Sequence, residues 1–291
     1  MTTESKLTIK QLLQDFCGGF ESQAKACRAL TDVSPGTVSQ LLNDNWTLIS
    51  DRMWLNIGKQ VGFEMAEWNN VKTFNYGKIK DLLTDAKELS RTHAITAGAG
   101  WGKDTAAKDF AAENDNVYLI NCGDYFNRRY FMIELLRKMG KDTNGSLPFL
   151  VERAVSEINK ALKPIIVINE ADKLNDASLY FFITIYKLCE GKCGIVLMAT
   201  DNLIDRLTIN EKPRQKKGYP EIFSRLGSRF IALPKPTKKD VTMICAGNGV
   251  TDPEAIMEIY NSANGDLRRV KKLVQNKAKK ANKEAAGELA A

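Results

Sequence analysis

Residues 95–105, ITAGAGWGKDT, carry the residue types that bind phosphate, because three glycines and a lysine separate an apolar run from an alanine-rich helical pattern. Glycines let backbone N–H groups close around phosphate oxygens, and Lys103 is placed to reach the terminal phosphates. The spacing departs from GxxxxGK[ST], since Ala97 takes the first glycine position and Asp104 takes that of the Mg²⁺-binding hydroxyl, with Thr105 one residue later. The predicted nucleotide-binding residues are Gly98, Gly100, Gly102, Lys103, Asp104 and Thr105.

A second segment with chemistry is 164–174, PIIVINEADKL. The run Ile165–Ile168 is apolar throughout, which predicts a buried strand of a parallel sheet. It ends in Asn169-Glu170, where an Asp-Glu pair would hold Mg²⁺ and activate water for attack on a phosphate. Glu170 is therefore the predicted catalytic base.

The two departures from the usual pattern offset each other. A carboxylate, Asp104, replaces a hydroxyl, and an amide, Asn169, replaces a carboxylate, so the negative charge offered to Mg²⁺ is relocated rather than lost. One hypothesis is that Asp104 takes over part of the Mg²⁺ coordination, beside Asn169. The alternative is that both changes weaken the metal site and leave an ATP-binding protein with little turnover.

Composition excludes several other kinds of site. The chain has a formal charge of +7 and a pI near 9.0, which mildly favours a polyanionic partner. Its six cysteines have no second metal-binding pair, and His93 is the only histidine, which argues against zinc sites and histidine-dependent nucleophiles. No apolar run reaches membrane-spanning length, so we expect a cytoplasmic protein without a membrane partner.

Helical spacing predicts a small all-α module at residues 1–65. Helices are expected over Ser22–Leu30 and Thr37–Asn43, after a first one that carries Leu7 to Phe16, with a turn at Val33–Gly36. The segment 22–46 resembles the helix-turn-helix of the phage-repressor and Cro type, whose second helix enters the major groove of DNA. The alternative is a helical bundle used for protein docking. The DNA-facing positions implied by the resemblance are Ser34, Gly36, Thr37, Ser39 and Gln40.

The middle module, residues 66–235, alternates strand and helix patterns, which predicts a parallel sheet covered on both faces. Residues 64–77 are read as a linker, followed by a helix over Lys78–Leu89. The predicted strands are His93–Ala97, Val117–Cys122, Ile165–Ile168, Ile195–Thr200 and Arg229–Leu233, and the predicted helices between them are Asp104–Ala112, Tyr130–Met139, Leu150–Ala161 and Ser178–Leu188. Residues 236–291 form a third, basic and helical module.

Five segments in this order resemble an AAA+ ATPase, which implies an α/β P-loop NTPase fold with a helical lid. Besides the two motifs above, 195–202 resembles the sensor-1 strand and implies Asp201 or Asn202 beside the γ-phosphate. Residues 221–230 resemble an arginine-finger segment, with Arg225 as first and Arg229 as second choice. Residues 264–270, NGDLRRV, resemble the sensor-2 helix and imply Arg268 over the phosphates.

The N-terminal helix-turn-helix, single AAA+ module and short basic lid resemble the transposition target-selection ATPases of the phage Mu B type. This resemblance implies ATP and Mg²⁺ as cofactors, and a homo-oligomer, ring or filament, on duplex DNA that delivers target DNA to a transposase. Lysines of the loop 212–217 are candidates to line that DNA. Two other functions remain open: a hydrolysis-poor DNA-binding regulator, and a replication-initiator or helicase-loader ATPase.

Overall fold

The N-terminal unit is a bundle of helices joined by serine-capped turns. The computed structural model describes residues 3–63, 68–208 and 218–288, and among these it describes the side chains of residues 5–277. Within residues 3–63 the helices are α1 (Thr3–Gly18), α2 (Gln23–Ala29), α3 (Pro35–Leu42) and α4 (Asp51–Gln60). Ser22, Ser34 and Ser50 precede α2, α3 and α4, and each hydroxyl accepts a hydrogen bond from the backbone N–H three residues on. These caps satisfy N–H groups that have no partner inside the helix.

Two features of this unit differ from the sequence expectation. The predicted turn Val33–Gly36 is shorter, because Pro35 and Gly36 already form the first turn of α3, where a proline costs no hydrogen bond. Helix α4 was not predicted, yet its Trp54 and Ile57 are fully buried in the core of the bundle.

The second unit is a parallel sheet with helices on both faces. Before the lid its helices are α5 (Phe74–Leu89), α6 (Lys103–Glu113), α7 (Arg128–Lys138), α8 (Leu147–Lys160), α9 (Asp176–Cys189), α10 (Asn202–Thr208) and α11 (Tyr219–Arg225), with a short 3₁₀-helix at Ala171–Lys173. Its strands are β1 (Thr92–Thr96), β2 (Val117–Asn121), β3 (Ile165–Asn169), β4 (Gly194–Ala199) and β5 (Ile231–Ala232). The strand order is β2-β3-β4-β1-β5, and every pairing is parallel. The carboxyl ends of all five strands therefore lie at one edge.

Alternate side chains of the strands enter two separate cores. On β3, Ile166 and Ile168 pack into one core, while Ile165 and Val167 pack into the core on the opposite face. This confirms the predicted buried strand and the two-sided sheet. The five predicted strands are all present, although β5 is limited to two residues of the predicted Arg229–Leu233.

Helix α5 begins at Phe74, four residues before the predicted Lys78. Thr73 caps it by accepting a hydrogen bond from Tyr76 N, and the buried Asn75 donates from its amide to Pro234 O. The end of the predicted linker is therefore helical, because tertiary contacts fix a segment that has no clear periodicity. Residues 64–67 and the basic loop 212–217 lie outside the described residues.

The lid contains α12 (Lys238–Gly247), α13 (Pro253–Ala263) and α14 (Leu267–Glu288). The chain divides into two compact units, residues 70–246 with 251–271, and residues 1–69 with 247–250 and 272–291. Most of the lid thus belongs to the same unit as the sheet. Among the described residues, no helix has the length and apolar character needed to cross a membrane.

Candidate functional site

The glycine-rich loop joins the carboxyl end of β1 to the start of α6. Gly100 and Gly102 have φ values of 76° and 91°, which are costly for residues with a Cβ atom. Gly102 precedes the first turn of α6, and no side chain caps that helix. Its first N–H groups and the positive end of its dipole therefore remain available for an anion at the loop.

Lys103 folds back over this loop and is 9% exposed. Its Nζ donates hydrogen bonds to Ala97 O at 2.5 Å and to Gly98 O at 3.1 Å. Burial lowers the pKa of the Lys103 ammonium below its usual range, and the carboxylates of Asp104 and Asp172 oppose that decrease. A bound phosphate would add negative charge beside this ammonium and favour its charged form.

Asp104 and Asn169, 65 residues apart in sequence, are in direct contact. Asn169 Nδ2 donates to Asp104 Oδ1 at 2.7 Å and to Asn121 Oδ1 at 2.9 Å. Asn169 is 2% exposed, and its Oδ1 is a buried acceptor without a hydrogen-bond partner within the described part of the chain. Such orphaned atoms are rare and mark unmet binding capacity. The contact links the two positions at which the sequence departs from the usual motifs.

The oxygens that a hard cation could use here are the Asp104 carboxylate and Asn169 Oδ1. Mg²⁺ is commonly held by one or two protein oxygens together with water and substrate phosphates, so these two residues fit it. The described residues contain no cluster of three or more His, Cys, Asp or Glu side chains that could hold a metal alone. An ion at this site would take its further ligands from water or from phosphate oxygens.

Glu170 follows β3 with a backbone φ of 56°, in the left-handed region. Its Oε2 accepts a hydrogen bond from Lys173 Nζ at 2.7 Å. Beside it, burial raises the pKa of the Cys122 thiol to about 12, and the carboxylates of Glu170 and Asp172 add to the effect. The predicted base thus lies at the carboxyl edge of the sheet, but its carboxylate is already engaged.

The start of α14 contacts the phosphate loop. Leu267 N donates to Gly100 O at 2.9 Å, and a Cβ at Gly100 would lie 2.0 Å from Asp266 Oδ1. Arg268 Nη2 lies 3.4 Å from Asp104 Oδ2, with the arginine 64% and the aspartate 39% exposed. The structure therefore places the predicted sensor arginine at the predicted metal ligand.

Comparison with known proteins gives one family match, over the segment that holds most of this site. A solved structure of Drosophila ORC bound to DNA is similar with a TM-score of 0.46 and 14% identity, over 74% of this chain and 56% of that one. No curated protein matches the chain. Residues 88–207, less than half of the chain, match the family model described as an AAA domain. The chain has an α/β P-loop NTPase fold.

The matched AAA domain spans β1 to α10 and so includes the loop, Asn169, Glu170 and the end of β4. At that end, Asp201 and Asn202 are both exposed, and Asn202 begins α10. The Asp201 charge opposes the pKa decrease of Lys103. Both sensor-1 candidates thus follow β4, the strand between β1 and β3, and the choice between them stays open.

The segment that matches the AAA domain model contains site residues that sequence reasoning missed. Asn121, at the end of β2, completes the amide network of Asn169. Asp172 accepts a hydrogen bond from the Thr200 hydroxyl at 2.7 Å, which ties the segment after β3 to the end of β4. The available signal was polar residues at the end of each apolar strand or within three residues of it, because such residues gather at one edge of a parallel sheet.

The candidate finger residues lie away from the loop. Arg225 Cζ is 5.3 Å from the ring centroid of Tyr186 and its Nη2 is 3.8 Å from Glu221 Oε1. Arg225 lines a pocket of about 300 Å³ with Arg91 and His93, near the amino end of β1. Arg229 is exposed. The structure therefore does not bring either arginine to the phosphate loop of its own chain.

In the N-terminal unit, the predicted DNA-facing residues lie at the start and along the surface of α3. Thr37 is half-buried, and its N–H donates to Ser34 Oγ at 3.1 Å, so the serine serves as a helix cap. The exposed positions are Ser34, Gly36, Ser39 and Gln40. Nearby, Lys25 is paired with Glu21. This face is polar but carries little free positive charge.

Proposed function

We propose that the chain binds ATP with Mg²⁺ at the carboxyl edge of the sheet and hydrolyses it as a switch. The observation that carries this proposal is the contact of Asp104 with both Asn169 and Arg268. It joins the phosphate loop, the strand β3 that precedes Glu170, and the lid around one point. The AAA domain match at residues 88–207 supports the same reaction class.

Each residue has a distinct role in this proposal. Loop N–H groups and the Lys103 ammonium hold the phosphates, and Arg268 closes over them from the lid. Asp104 and Asn169 would hold Mg²⁺, which would supply positive charge to neutralise the phosphate oxygens. Glu170 accepts the proton of the attacking water, and Asp201 or Asn202 orients that water.

A second copy of the chain completes the site. Arg225 lies near the amino end of β1, and the phosphate loop begins at the other end of this strand, so Arg225 serves the nucleotide of a neighbouring subunit. An arginine supplied in this way stabilises charge that develops on the transferred phosphoryl group. Arg229 is the second choice. The oligomer, ring or filament, then depends on ATP.

The partner of this oligomer is duplex DNA, which it delivers to a transposase. The charge of +7 and the exposed polar face of α3 support DNA binding, and Gln40 and Ser39 can reach base edges. That face of α3 carries few free basic side chains, so we expect other parts of the chain to contact DNA phosphates as well. The proposal of a transposase as partner rests on the sequence resemblance to target-selection ATPases.

The deciding experiment is Mg²⁺-dependent ATP hydrolysis with and without duplex DNA, with Glu170→Gln as the matched variant. Turnover that rises with DNA and vanishes in Glu170→Gln supports the proposal. ATP binding without turnover above that variant refutes hydrolysis.

The second candidate is a regulator that uses nucleotide as a structural ligand. This candidate is favoured because the proposed metal ligands are already engaged within the protein. Asn169 donates both of its amide hydrogens to acceptors, and Asp104 is contacted by Arg268. Asp104→Ala separates the two functions. It abolishes Mg²⁺-dependent nucleotide binding if Asp104 is a metal ligand, and it changes that binding little if nucleotide is held without the metal.

A further inference from the structure

The backbone requires two of the three glycines in the phosphate loop, but not the third. Gly100 and Gly102 have φ values of 76° and 91°, whereas Gly98 has no positive φ. The conformation of Gly98 is therefore open to residues with a Cβ atom. A side chain is excluded there by its surroundings, because a Cβ at position 98 would lie 2.5 Å from Cε2 and 2.8 Å from Nε1 of Trp101. The indole ring of Trp101 thus covers Gly98.

The ring of Trp101 is itself held by the apolar core on one face of the sheet. Trp101 is half-buried and packs against the core that contains Ile79 of α5 and Phe110 of α6. Side chains in such a core are closely packed, so the ring moves only at a cost in packing. Trp101 therefore connects the phosphate loop to the rigid part of the fold.

Gly98 has a second contact, which a nucleotide would break. Lys103 Nζ donates to Gly98 O at 3.1 Å and to Ala97 O. In the proposed function the same ammonium holds the phosphates, whose charged oxygens accept stronger hydrogen bonds than a backbone carbonyl. When Lys103 turns to a phosphate, Gly98 loses its hydrogen bond from the lysine. The contact with Trp101 then holds this part of the loop.

We propose that Trp101 is a positioning residue, whose indole ring keeps residues 97–99 of the phosphate loop in place when Lys103 turns to a phosphate. This rests on the proposed ATPase function and adds a residue to its nucleotide site. A loop that is already ordered binds phosphate without a further loss of backbone entropy. Glycine at position 98 and tryptophan at position 101 depend on each other, because a side chain at 98 would displace the ring.

The first test compares ATP hydrolysis by Trp101→Leu, Trp101→Phe and Trp46→Leu. Trp101→Leu should raise KM for ATP about tenfold, the factor expected when one more backbone residue is ordered on binding, and should leave kcat within about twofold. A role in stability alone would lower kcat through loss of folded chain and leave KM unchanged. Trp101→Phe keeps an aromatic ring and should restore most of the affinity. The control Trp46→Leu removes a half-buried indole from the N-terminal unit and should not change KM.

The second test needs no nucleotide. Gly98→Ala is made in the wild-type chain and in Trp101→Leu, and urea unfolding is the readout. In the wild-type chain the new methyl group meets the indole ring, so Gly98→Ala should lower the urea midpoint. In Trp101→Leu the ring is gone, and the alanine should leave the midpoint unchanged or raise it, because alanine restricts the unfolded chain.

Two results would overturn the proposal. One is an equal effect of Gly98→Ala on the urea midpoint in the two backgrounds. The other is a Trp101→Leu chain that binds ATP as tightly as the wild type. If the wild-type chain binds no ATP, the proposed function fails, and the urea comparison alone decides whether the ring of Trp101 holds Gly98.

Discussion

Asp104→Ser and Asn169→Asp, made singly and together, test whether the two altered motif positions form one unit. Asn169 Nδ2 now donates to Asp104 Oδ1 at 2.7 Å. Asn169→Asp removes this charge-assisted hydrogen bond, worth about 1.5–3 kcal/mol, and places a second carboxylate beside the first. The side chain at position 169 is almost fully buried, while that of Asp104 is 39% exposed.

Repulsion between the two carboxylates sets how much Asn169→Asp destabilises the chain. Two unit charges about 4 Å apart repel by about 4 kcal/mol at an effective dielectric constant of about 20. Proton uptake limits this penalty to about 4 kcal/mol at pH 7, the cost of protonating a carboxyl with an ordinary pKa near 3.9. Since Asp104 is partly solvated, we expect Asn169→Asp alone to lower the free energy of unfolding by about 3–5 kcal/mol.

The double variant restores the usual arrangement of a hydroxyl facing a carboxylate. Asp104→Ser alone should cost about 1–2 kcal/mol, because the serine hydroxyl can still accept from Asn169. The double variant should then be more stable than the sum of the single changes by about 2–4 kcal/mol. The assay is urea unfolding followed by circular dichroism in EDTA. Additivity within about 0.5 kcal/mol would refute a coupled pair.

Three further predictions concern the compact unit that contains the sheet. Gly100→Ala should destabilise the chain by about 1–2 kcal/mol and weaken nucleotide binding, since the new Cβ would lie 2.0 Å from Asp266 Oδ1. The control is Gly77→Ala, whose Cβ would have nothing within 4 Å. It should be neutral or stabilising in the same urea assay. Cys122, whose pKa burial raises to about 12, should resist iodoacetamide at pH 8 in the native chain and react in urea; rapid native labelling, read by mass spectrometry, would contradict this. Burial raises the pKa of Asp240, but hydrogen bonds from Phe74 N and Thr237 outweigh it and leave the pKa lowered. That stability is present above pH about 4 and is lost as pH falls through the folded pKa, so the cost of Asp240→Asn should shrink on acidification; an equal cost at pH 7 and pH about 3 would show that this linkage is absent.

The sequence by itself determined the local elements that carry the chemistry. Glycines at 100 and 102 before Lys103 predict a loop that exposes N–H groups, and the apolar run Ile165–Ile168 predicts a buried strand, because both signals depend on near neighbours in the chain. The five strands follow from the same short-range patterns. Helix α4 and the start of α5 were missed, since their positions depend on core packing and on hydrogen bonds such as that from Asn75 to Pro234.

Tertiary structure alone decided which of these residues meet. The sheet order places β4 between β1 and β3, and within this arrangement Asn169 lies 2.7 Å from Asp104, a distance that no spacing along the chain encodes. Arg225 lies by the pocket near the amino end of β1 for the same reason. The Glu170–Lys173 pair has a spacing visible in sequence, yet the left-handed backbone of Glu170 that accompanies it is not. Backbone conformation and strand order arise from the packing of the whole sheet, because a parallel sheet brings distant segments together only at the ends of its strands.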